Sequence, residues 1–539
     1  MKRDFFARPP SPAIRGVLVL SLLAVVEAVL LGGHLLHAGL YTDDWSIAAI
    51  RHESGAVGLF NGLFASNRER PLGELYLAAT SAVSGSDPHL HALCGLLTLL
   101  AATASVYLLL RRLSLSTRDA VSIVLLFMVF PFADASWLWY AASYSYLAIA
   151  LAALGGVAAL EGLRTKGASA LVYRVGALLL FAASVVTYQV AAGVICLSVL
   201  VYLPRTGRRR AVAFWLLDVC AVALAASLPR LMTGSAGLIA DKVVTLSEQI
   251  EHAKLMADQS LTLLTAALVP FRGPHRNVVL PIALAVVCVG VLLAWRVRAE
   301  PELRRRLRLL LLLCAAGGVV IVAAYAVYVP APINLYQPLG KGEENRVNVM
   351  ASLGYAIVVY AVVMLFATSV VRLLRRPLKW APAIGLAIAV VVFVGYVSRT
   401  RRDIAAWDRA GTIQHQELAE LRTAGRPLPS TTIYTFGGIG ATAPGVYAFR
   451  VTWDLSGAVQ LLWNDATLHA YPIFLGTTVM CTATQVVPIG PGNGDGIGQA
   501  ANYRHAVFYD FHNAREERIT NAATCTRAVA DFAAGAVES

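Results

Sequence analysis

Long apolar runs alternate with short basic clusters over the first 400 residues of the chain. These runs predict about eleven membrane-spanning helices. The predicted spans cover residues 14–37, 89–110, 119–133, 144–162, 174–187, 189–203, 211–229, 278–295, 309–329, 347–371 and 381–398. Arg and Lys cluster on alternate flanks, which places these flanks and the N-terminus on the cytoplasmic side. The opposite side receives the loops 38–88, 134–143, 230–277 and 330–346.

Two of these predicted spans are too short to cross a bilayer alone. Residues 174–187 and 189–203 could form one tilted helix, but basic clusters at both ends favour a hairpin that turns at Thr187, Tyr188 and Gln189. A helix of about 14 residues reaches about 21 Å, whereas the hydrocarbon core is about 30 Å thick. We therefore expect these helices to line a cavity.

The sequence changes character after Arg402. Residues 403–423 have the apolar spacing of an amphipathic helix, and four later segments predict strands: TTIYTF, YAFRVTW, TTVMCTATQVV and HAVFYDF. The expected fold is therefore a polytopic α-helical membrane protein with a C-terminal mixed α/β domain outside the cytoplasm. Two domains are predicted: a transmembrane domain, residues 1–398, and an exported domain, residues 399–539.

Composition supports a membrane protein and excludes a nucleic-acid partner. Hydrophobic residues make up 57% of the chain and charged residues 14%, which is too apolar for a water-soluble fold. The net charge of +13 lies in clusters between apolar segments, as membrane topology requires. The excess of Arg over Lys is typical of a GC-rich bacterial genome. We expect a multi-pass protein of the bacterial inner (plasma) membrane with a cytoplasmic N-terminus.

Two features of the C-terminal region concern a possible disulfide and a possible dinucleotide site. Cys481 and Cys525 form a disulfide if this region faces an oxidising space, and are otherwise two free thiols. The segment FGGIGATAPG follows a predicted strand and contains a GxGxxA pattern. Pro444 and Gly445 stand where a helix would have to continue, which argues against a dinucleotide site.

Asp43 and Asp44, within YTDDW, follow the first span directly. A carboxylate at a membrane boundary is costly to desolvate unless it is paired, coordinated or functional. The alternative is helix capping, with Thr42 or Asp43 as the N-cap and Asp44 near the helix dipole, which is worth about 1 kcal/mol. Capping explains one of the two acids more easily than both.

The acidic pair, the long first outer loop, the short spans turning at Thr187, Tyr188 and Gln189 and the exported terminal region together resemble the GT-C superfamily of membrane glycosyltransferases. The resemblance covers the topology of residues 1 to about 400, and YTDDW is its only local motif. It implies transfer of a sugar from a polyprenyl-phosphate donor to a cell-envelope glycan, lipid or protein outside the cytoplasm. Our hypothesis is that the transfer is a direct displacement, which inverts the anomeric carbon.

The resemblance also implies roles for the two acids. Asp43 or Asp44 would be the general base that takes the proton of the acceptor hydroxyl. Because successive residues point about 100° apart on a helix, the other acid would hold an acceptor hydroxyl or a divalent cation, Mg²⁺ or Mn²⁺. The requirement for a cofactor stays open.

The leaving lipid phosphate requires positive charge on the outer side. Arg346 is the first candidate, because it opens a predicted span whose amides would also meet the phosphate. The alternative is that Arg346 pairs with Glu343 or Glu344 or reaches lipid headgroups. The other candidates are Lys341, Arg272, Arg276, His275, Arg68 and Arg70.

Candidate substrate contacts in the outer loops are Tyr188, Gln189, Glu74 and His52. The aromatic residues between Trp137 and Tyr146 are typical of an interfacial girdle. The alternative is that a few of them stack on sugar faces. Two rival functions remain: a transporter or flippase for lipid-linked or amphiphilic substrates, and an assembly scaffold. The transporter is disfavoured because no paired half-repeats occur and the ionisable residues concentrate in the outer loops.

Overall fold

The computed structural model describes residues 12–233, 244–271, 276–297, 300–333, 336–473, 477–490 and 500–535. Helices form most of these residues. In chain order they are α1 Pro12–Leu31, α2 Asp43–Ser66, α3 Pro71–Ser84, α4 Pro88–Arg112, α5 Thr117–Met128, α6 Ala135–Leu138, α7 Tyr144–Arg164, α8 Gly167–Thr187, α9 Ala192–Ile195, α10 Val199–Tyr202, α11 Arg208–Thr233, α12 Leu246–Leu268, α13 Arg276–Arg296, α14 Pro301–Ala326, α15 Val349–Leu373, α16 Ala381–Ala424, α17 Thr452–Trp463 and α18 Ala522–Gly535.

Nine helical segments within the described ranges are long and apolar enough to cross a membrane. The predicted polytopic helical architecture is confirmed, with nine such segments in place of about eleven. The predicted span 119–133 folds as α5, which has 12 residues and reaches about 18 Å. Residues 189–203 fold as a 3₁₀ turn, Gln189–Ala191, followed by α9 and α10. The helix predicted at 174–187 was too short, because α8 already begins at Gly167.

Helix α15 forms the centre of the helical region, and 94% of the residues in its most apolar 18-residue stretch are buried. Its sequence is apolar on every face, which is typical of a helix surrounded by other helices. It crosses α14 at a close approach of Gly317 and Gly354, where a Cβ on Gly354 would lie 2.7 Å from the Gly317 carbonyl oxygen. Glycine at both positions lets the two backbones meet.

The C-terminal region contains the strands β1 Thr432–Phe436, β2 Ala441–Ala443, β3 Val446–Tyr447, β4 His469–Pro472, β5 Thr478–Cys481, β6 Gln485–Ile489, β7 Ala501–Asn502, β8 Ala506–Asp510 and β9 Arg515–Arg518. The main sheet has the order β4-β1-β8-β9. Its first three strands are parallel, and β9 is antiparallel to β8. The predicted mixed α/β character is confirmed.

Two local expectations in this region are resolved by the structure. The strand predicted at YAFRVTW is wrong, because only Val446 and Tyr447 pair and α17 begins at Thr452. The Asp454 carboxylate accepts the backbone N–H groups of Arg450 and Val451, which stabilises the start of that helix. Cys481 and Cys525 form a disulfide.

Helix α16 joins the last predicted span and the predicted amphipathic helix into one helix of 44 residues. It runs through the predicted boundary between residues 398 and 399, and that division stays a prediction. The C-terminal region packs against the segment that follows α1, where Leu40 and Trp45 share a buried cluster with Phe449 and Leu455. This contact places α17 beside the first turn of α2.

Candidate active site

The two adjacent acids have different surroundings. Asp44 is 1% exposed, and its two carboxylate oxygens accept backbone N–H groups from Ala141 at 2.9 Å and Tyr41 at 3.2 Å. Asp43 is half-buried, and its Oδ1 accepts the indole N–H of Trp453 at 2.7 Å. Asp44 therefore ties the first loop to the segment before α7, whereas Asp43 faces open space.

The turn before α2 separates these two side chains. Thr42 has φ = 43°, a region that β-branched residues rarely adopt and that costs about 1–3 kcal/mol. Its side chain occupies the N-cap position, but the hydroxyl has no hydrogen-bond partner within the described residues. Thr42 therefore does not form the side-chain capping hydrogen bond that the sequence left open.

Asp43 lies in the wall of an open cavity of about 460 Å³. The cavity is lined by Asp43, Arg70, Trp139, Ala141, Ala142, Tyr144, Ser145, Tyr188, Tyr336 and Arg346. The charged groups of this wall are one carboxylate and two guanidinium groups, and the remainder is mostly aromatic. The net charge of +1 favours an anionic ligand.

Arg70 is held on one side of the cavity by three tyrosines. Its guanidinium donates to the Tyr144 hydroxyl at 3.0 Å and to the Tyr336 hydroxyl at 3.2 Å, and it lies 4.5 Å from the centre of the Tyr188 ring. Its Nε is buried without a partner in the described part of the chain. These contacts fix the orientation of the guanidinium.

Arg346 enters the cavity from the 3₁₀ turn Glu343–Asn348, directly before α15. Its guanidinium carbon lies 5.1 Å from the centre of a Trp139 ring. The Glu343 carboxylate pairs with Arg450 at 2.7 Å, and no ion pair of Arg346 within 4 Å occurs among the described residues. The alternative pairing of Arg346 with Glu343 or Glu344 is therefore not formed, and its charge faces the cavity.

Burial raises the pKa values of both acids. For Asp43 the Trp453 hydrogen bond and the charges of Arg346 and Arg450 oppose this rise in pKa. For Asp44 the pKa lies well above its ordinary value, although the Ala141 and Tyr41 amides oppose the effect of burial. Both shifts arise because a carboxylate loses its hydration.

Glu74 lies near Arg70 and does not line the cavity. It is 2% exposed, and one of its carboxylate oxygens has no partner within the described residues. Burial raises its pKa to about 7, with the nearby charge of Arg70 acting in the opposite direction. Glu74 is therefore a buried acid near Arg70 that does not contact the cavity.

Of the other three predicted substrate contacts, one lies in the cavity wall and two lie outside it. Tyr188 lines the cavity. Gln189 donates to the backbone carbonyl of Glu69 at 3.1 Å and is not part of the cavity wall. His52 is exposed and shares a hydrogen bond of 2.6 Å with Asn464, so it contacts the C-terminal region.

Most of the remaining predicted cations are not brought to the cavity. Lys341 is exposed, and neither it nor Arg68 is among the described lining residues. Arg276 begins α13, but its side chain lies outside the described part of the structure. Arg272 and His275 also lie outside the described residues.

The residues around Asp43 do not fit a divalent cation. Within the described ranges, no group of three or more His, Cys, Asp or Glu side chains is arranged to bind a metal. Both oxygens of Asp44 are taken by backbone amides, which leaves one carboxylate beside two guanidinium groups. A hard cation prefers several oxygen ligands, and these residues do not supply them.

The sequence did not identify several residues of this site. Trp453 is 410 positions from Asp43, and no local pattern links them. Tyr336 lies in a Pro-rich loop without a helix signal. Trp139 and Tyr144 are indistinguishable by sequence from an interfacial girdle.

The chain is similar to several solved structures, among them the following three. ArnT from Cupriavidus metallidurans bound to undecaprenyl phosphate is 14% identical, with 77% of this chain and 82% of that chain covered and a TM-score of 0.41. The archaeal oligosaccharyltransferase AglB from Archaeoglobus fulgidus, in complex with an inhibitory peptide and a dolichol-phosphate, is 13% identical, with 85% and 64% covered and a TM-score of 0.43. The Archaeoglobus fulgidus oligosaccharyltransferase tethered to an acceptor peptide is 14% identical, with 85% and 63% covered and a TM-score of 0.38.

The chain thus spans less than two thirds of the length of the two archaeal structures. No family model matches the chain, and no curated protein matches it.

Proposed function

We propose that this protein is a membrane glycosyltransferase that moves a sugar from a polyprenyl-phosphate donor to an acceptor on the extracytoplasmic side. The acceptor is a cell-envelope glycan, lipid or protein. The observation that supports this most strongly is the cavity in which Asp43 lies with Arg70 and Arg346. A base and two phosphate-binding groups in one wall are the elements that displacement of a lipid phosphate requires.

Asp43 is the proposed general base. As the acceptor oxygen bonds to the anomeric carbon, its proton passes to a carboxylate oxygen of Asp43. The bond between the anomeric carbon and the phosphate oxygen breaks, and the electron pair leaves with the polyprenyl phosphate. A single displacement of this kind inverts the anomeric carbon.

Arg346 and Arg70 are the proposed phosphate ligands. Arg346 has no competing ion pair among the described residues, so its donors are available to phosphate oxygens. Arg70 is already oriented by tyrosine hydroxyls and would meet the phosphate without losing further side-chain freedom. Together they stabilise the charge that develops on the leaving group.

The aromatic side chains of the wall are proposed to position the sugar and limit water. Trp139, Tyr144, Tyr188 and Tyr336 surround the two guanidinium groups. Their rings present apolar faces to a saccharide, and a drier site strengthens each charged contact. In this proposal residues 1–398 form the catalytic membrane domain, and residues 399–539 hold the acceptor outside the cytoplasm.

The test is a turnover assay with the full-length protein in lipid nanodiscs. A panel of polyprenyl-phosphate sugars is mixed with a total glycan and lipid extract of bacterial envelopes, and released polyprenyl phosphate and glycosylated product are quantified by mass spectrometry. One donor is expected to be consumed in proportion to product, whereas protein-free nanodiscs release none. A donor that crosses proteoliposome membranes unchanged, with no product formed, would instead indicate a transporter.

A further inference from the structure

Arg450 joins the C-terminal region to the turn that carries Arg346. Its Nη1 donates to the Glu343 carboxylate at 2.7 Å and lies 3.8 Å from a carboxylate oxygen of Glu344. Both acids belong to the 3₁₀ turn Glu343–Asn348. One guanidinium of the C-terminal region therefore offsets the charge of two carboxylates beside the proposed phosphate ligand.

The position of Arg450 is fixed within its own region. Its backbone N–H donates to the Asp454 carboxylate at 2.7 Å, at the start of α17. Its guanidinium carbon lies 4.9 Å from the centre of the Tyr447 ring, and such stacking limits the freedom of the side chain. Because the Glu343 side chain is only 5% exposed, its ion pair with Arg450 is better shielded from water than a surface salt bridge.

A backbone contact holds the same two segments together. The turn Pro444–Gly445 connects β2 and β3, and the Gly445 carbonyl accepts the backbone N–H of Glu343 at 2.9 Å. A Cβ on Gly342 would overlap that carbonyl oxygen, so the approach requires glycine. Gly445 has φ = 78°, as the third residue of a type II turn requires. The glycine-rich segment that does not fit a dinucleotide site thus ends in a contact with the turn of Arg346.

The two acids are close enough to Arg346 to pair with it. Side chains at positions i and i+3 of a 3₁₀ turn stand in line, and Glu343 and Arg346 are three residues apart. The charges of Glu343 and Glu344 both act on Arg346, although no ion pair forms within the described ranges. Each acid also has one buried carboxylate oxygen without a hydrogen-bond partner among the described residues. Such an oxygen favours any available donor.

A carboxylate and a phosphate would compete for the same guanidinium. Both bind through the paired N–H groups of an Arg side chain, so an Arg346 that pairs with Glu343 is not available to a lipid phosphate. The apparent affinity of a ligand falls with the fraction of molecules whose site is free. In the described part of the chain, Arg450 is the only Arg or Lys within 4 Å of the Glu343 and Glu344 carboxylates.

We propose that Arg450 is a positioning residue for donor binding, which holds the two acids of the turn away from Arg346. The Arg346 guanidinium then stays free for the phosphate of the donor. This inference rests on the proposed function and adds a residue of the C-terminal region to the support of its phosphate site. Arg450 lies three residues before Trp453, so one segment contacts both the proposed base and the turn of the proposed phosphate ligand.

The test is the affinity of the full-length protein in detergent for undecaprenyl phosphate, measured by native mass spectrometry. Undecaprenol, which lacks the phosphate, is the second probe. Arg450→Gln should weaken the affinity for undecaprenyl phosphate about tenfold if Arg346 is then paired in nine of ten molecules. The affinity for undecaprenol should not change. Arg450→Lys keeps the charge and should recover part of the affinity.

Removal of the competing charge separates this role from a loss of folding. Glu343→Gln combined with Arg450→Gln should restore most of the affinity for undecaprenyl phosphate, whereas a second substitution would not repair a misfolded protein. The matched control is Arg515→Gln. Arg515 also pairs with an acid, Glu517 at 2.6 Å, and also lies over an aromatic ring, that of Phe532. Its loss should leave both affinities unchanged.

Equal affinity of Arg450→Gln and the unaltered protein for undecaprenyl phosphate would overturn the inference. A double variant that binds as weakly as Arg450→Gln would also overturn it. Either result leaves the proposed function intact as long as the unaltered protein binds undecaprenyl phosphate more tightly than undecaprenol. An unaltered protein that does not distinguish the two probes would overturn the proposed phosphate site and this inference together.

Discussion

The indole N–H of Trp453 donates to the carboxylate of Asp43 over 2.7 Å, although the two residues are 410 positions apart. Trp453 stands in the first turn of α17, and Asp43 is the first residue of α2. The C-terminal region therefore orients the acid that we propose as the base. The hydrogen bond also opposes the rise in the pKa of Asp43 that burial causes.

Replacing Trp453 with Phe should change the pH dependence of transfer. Loss of the N–H raises the pKa of Asp43 further, and only the ionised form accepts a proton, so the acid limb of kcat/KM should move to higher pH. A positioned base contributes about 10²–10⁴ in rate. Trp453→Phe should lose part of this contribution, because the Asp43 carboxylate is no longer held in its orientation. Trp463→Phe, in the same helix, should leave the profile unchanged. An unshifted acid limb in Trp453→Phe would contradict this role.

Asp44→Asn should destabilise the protein. An amide has one acceptor oxygen, so the N–H of Ala141 or of Tyr41 loses its partner, which costs about 1–3 kcal/mol. The midpoint of thermal unfolding in detergent should fall, while protein that stays folded at low temperature transfers sugar. An unchanged midpoint together with lost transfer would assign the chemistry to Asp44.

Arg346→Gln should weaken donor binding. A guanidinium that hydrogen-bonds phosphate is expected to contribute about a ten- to hundredfold change in KM for the donor. Arg346→Lys keeps the charge but loses the planar fork and the stacking on Trp139. The KM of this variant for the donor should therefore lie between that of Arg346→Gln and that of the unaltered protein.

The matched control for Arg346 is Arg399→Gln. Arg399 also lies over an aromatic ring, at 4.4 Å from the centre of Phe132, but it is not in the cavity wall. Its donor KM should stay unchanged. Equal KM values for the Arg346 and Arg399 variants would remove Arg346 from the phosphate site.

Glu74→Gln should stabilise the protein at alkaline pH. The pKa of Glu74 rises from 4.5 to about 7 on folding, so its contribution to stability is complete below pH 4.5 and is lost as the pH rises through about 7. The variant and the unaltered protein should unfold similarly at pH 5. At pH 8 the variant should be more stable by up to about 3 kcal/mol. Glu53→Gln, at an exposed position of α2, should show no such difference, and a pH-independent effect of Glu74→Gln would contradict the shift.

The hydropathy pattern predicted the helical fold because each long span must satisfy its own backbone in lipid. It failed where tertiary contacts decide local structure. YAFRVTW has the β-branched and aromatic residues of a strand, yet the Asp454 carboxylate binds the preceding backbone N–H groups and starts α17. Residues 189–203 are apolar enough for a span but fold as a turn and two short helices.

The candidate site was predictable only in part. The sequence singled out Asp43 and Asp44 because carboxylates beside an apolar span are costly without a function. Arg346, and Arg70 among several other cations, were candidates because the resemblance implies a leaving phosphate that requires positive charge. The sequence could not separate Asp43 from Asp44, since their difference arises from the turn at Thr42 and from an amide about 100 residues away.

The most direct test of the account compares Asp43→Asn with the unaltered protein in single-turnover transfer from the donor identified in nanodiscs. The variant should fold, bind the donor with similar affinity and release polyprenyl phosphate at least about 10²-fold more slowly. A single-turnover rate equal to that of the unaltered protein would contradict the assignment of Asp43 as the base.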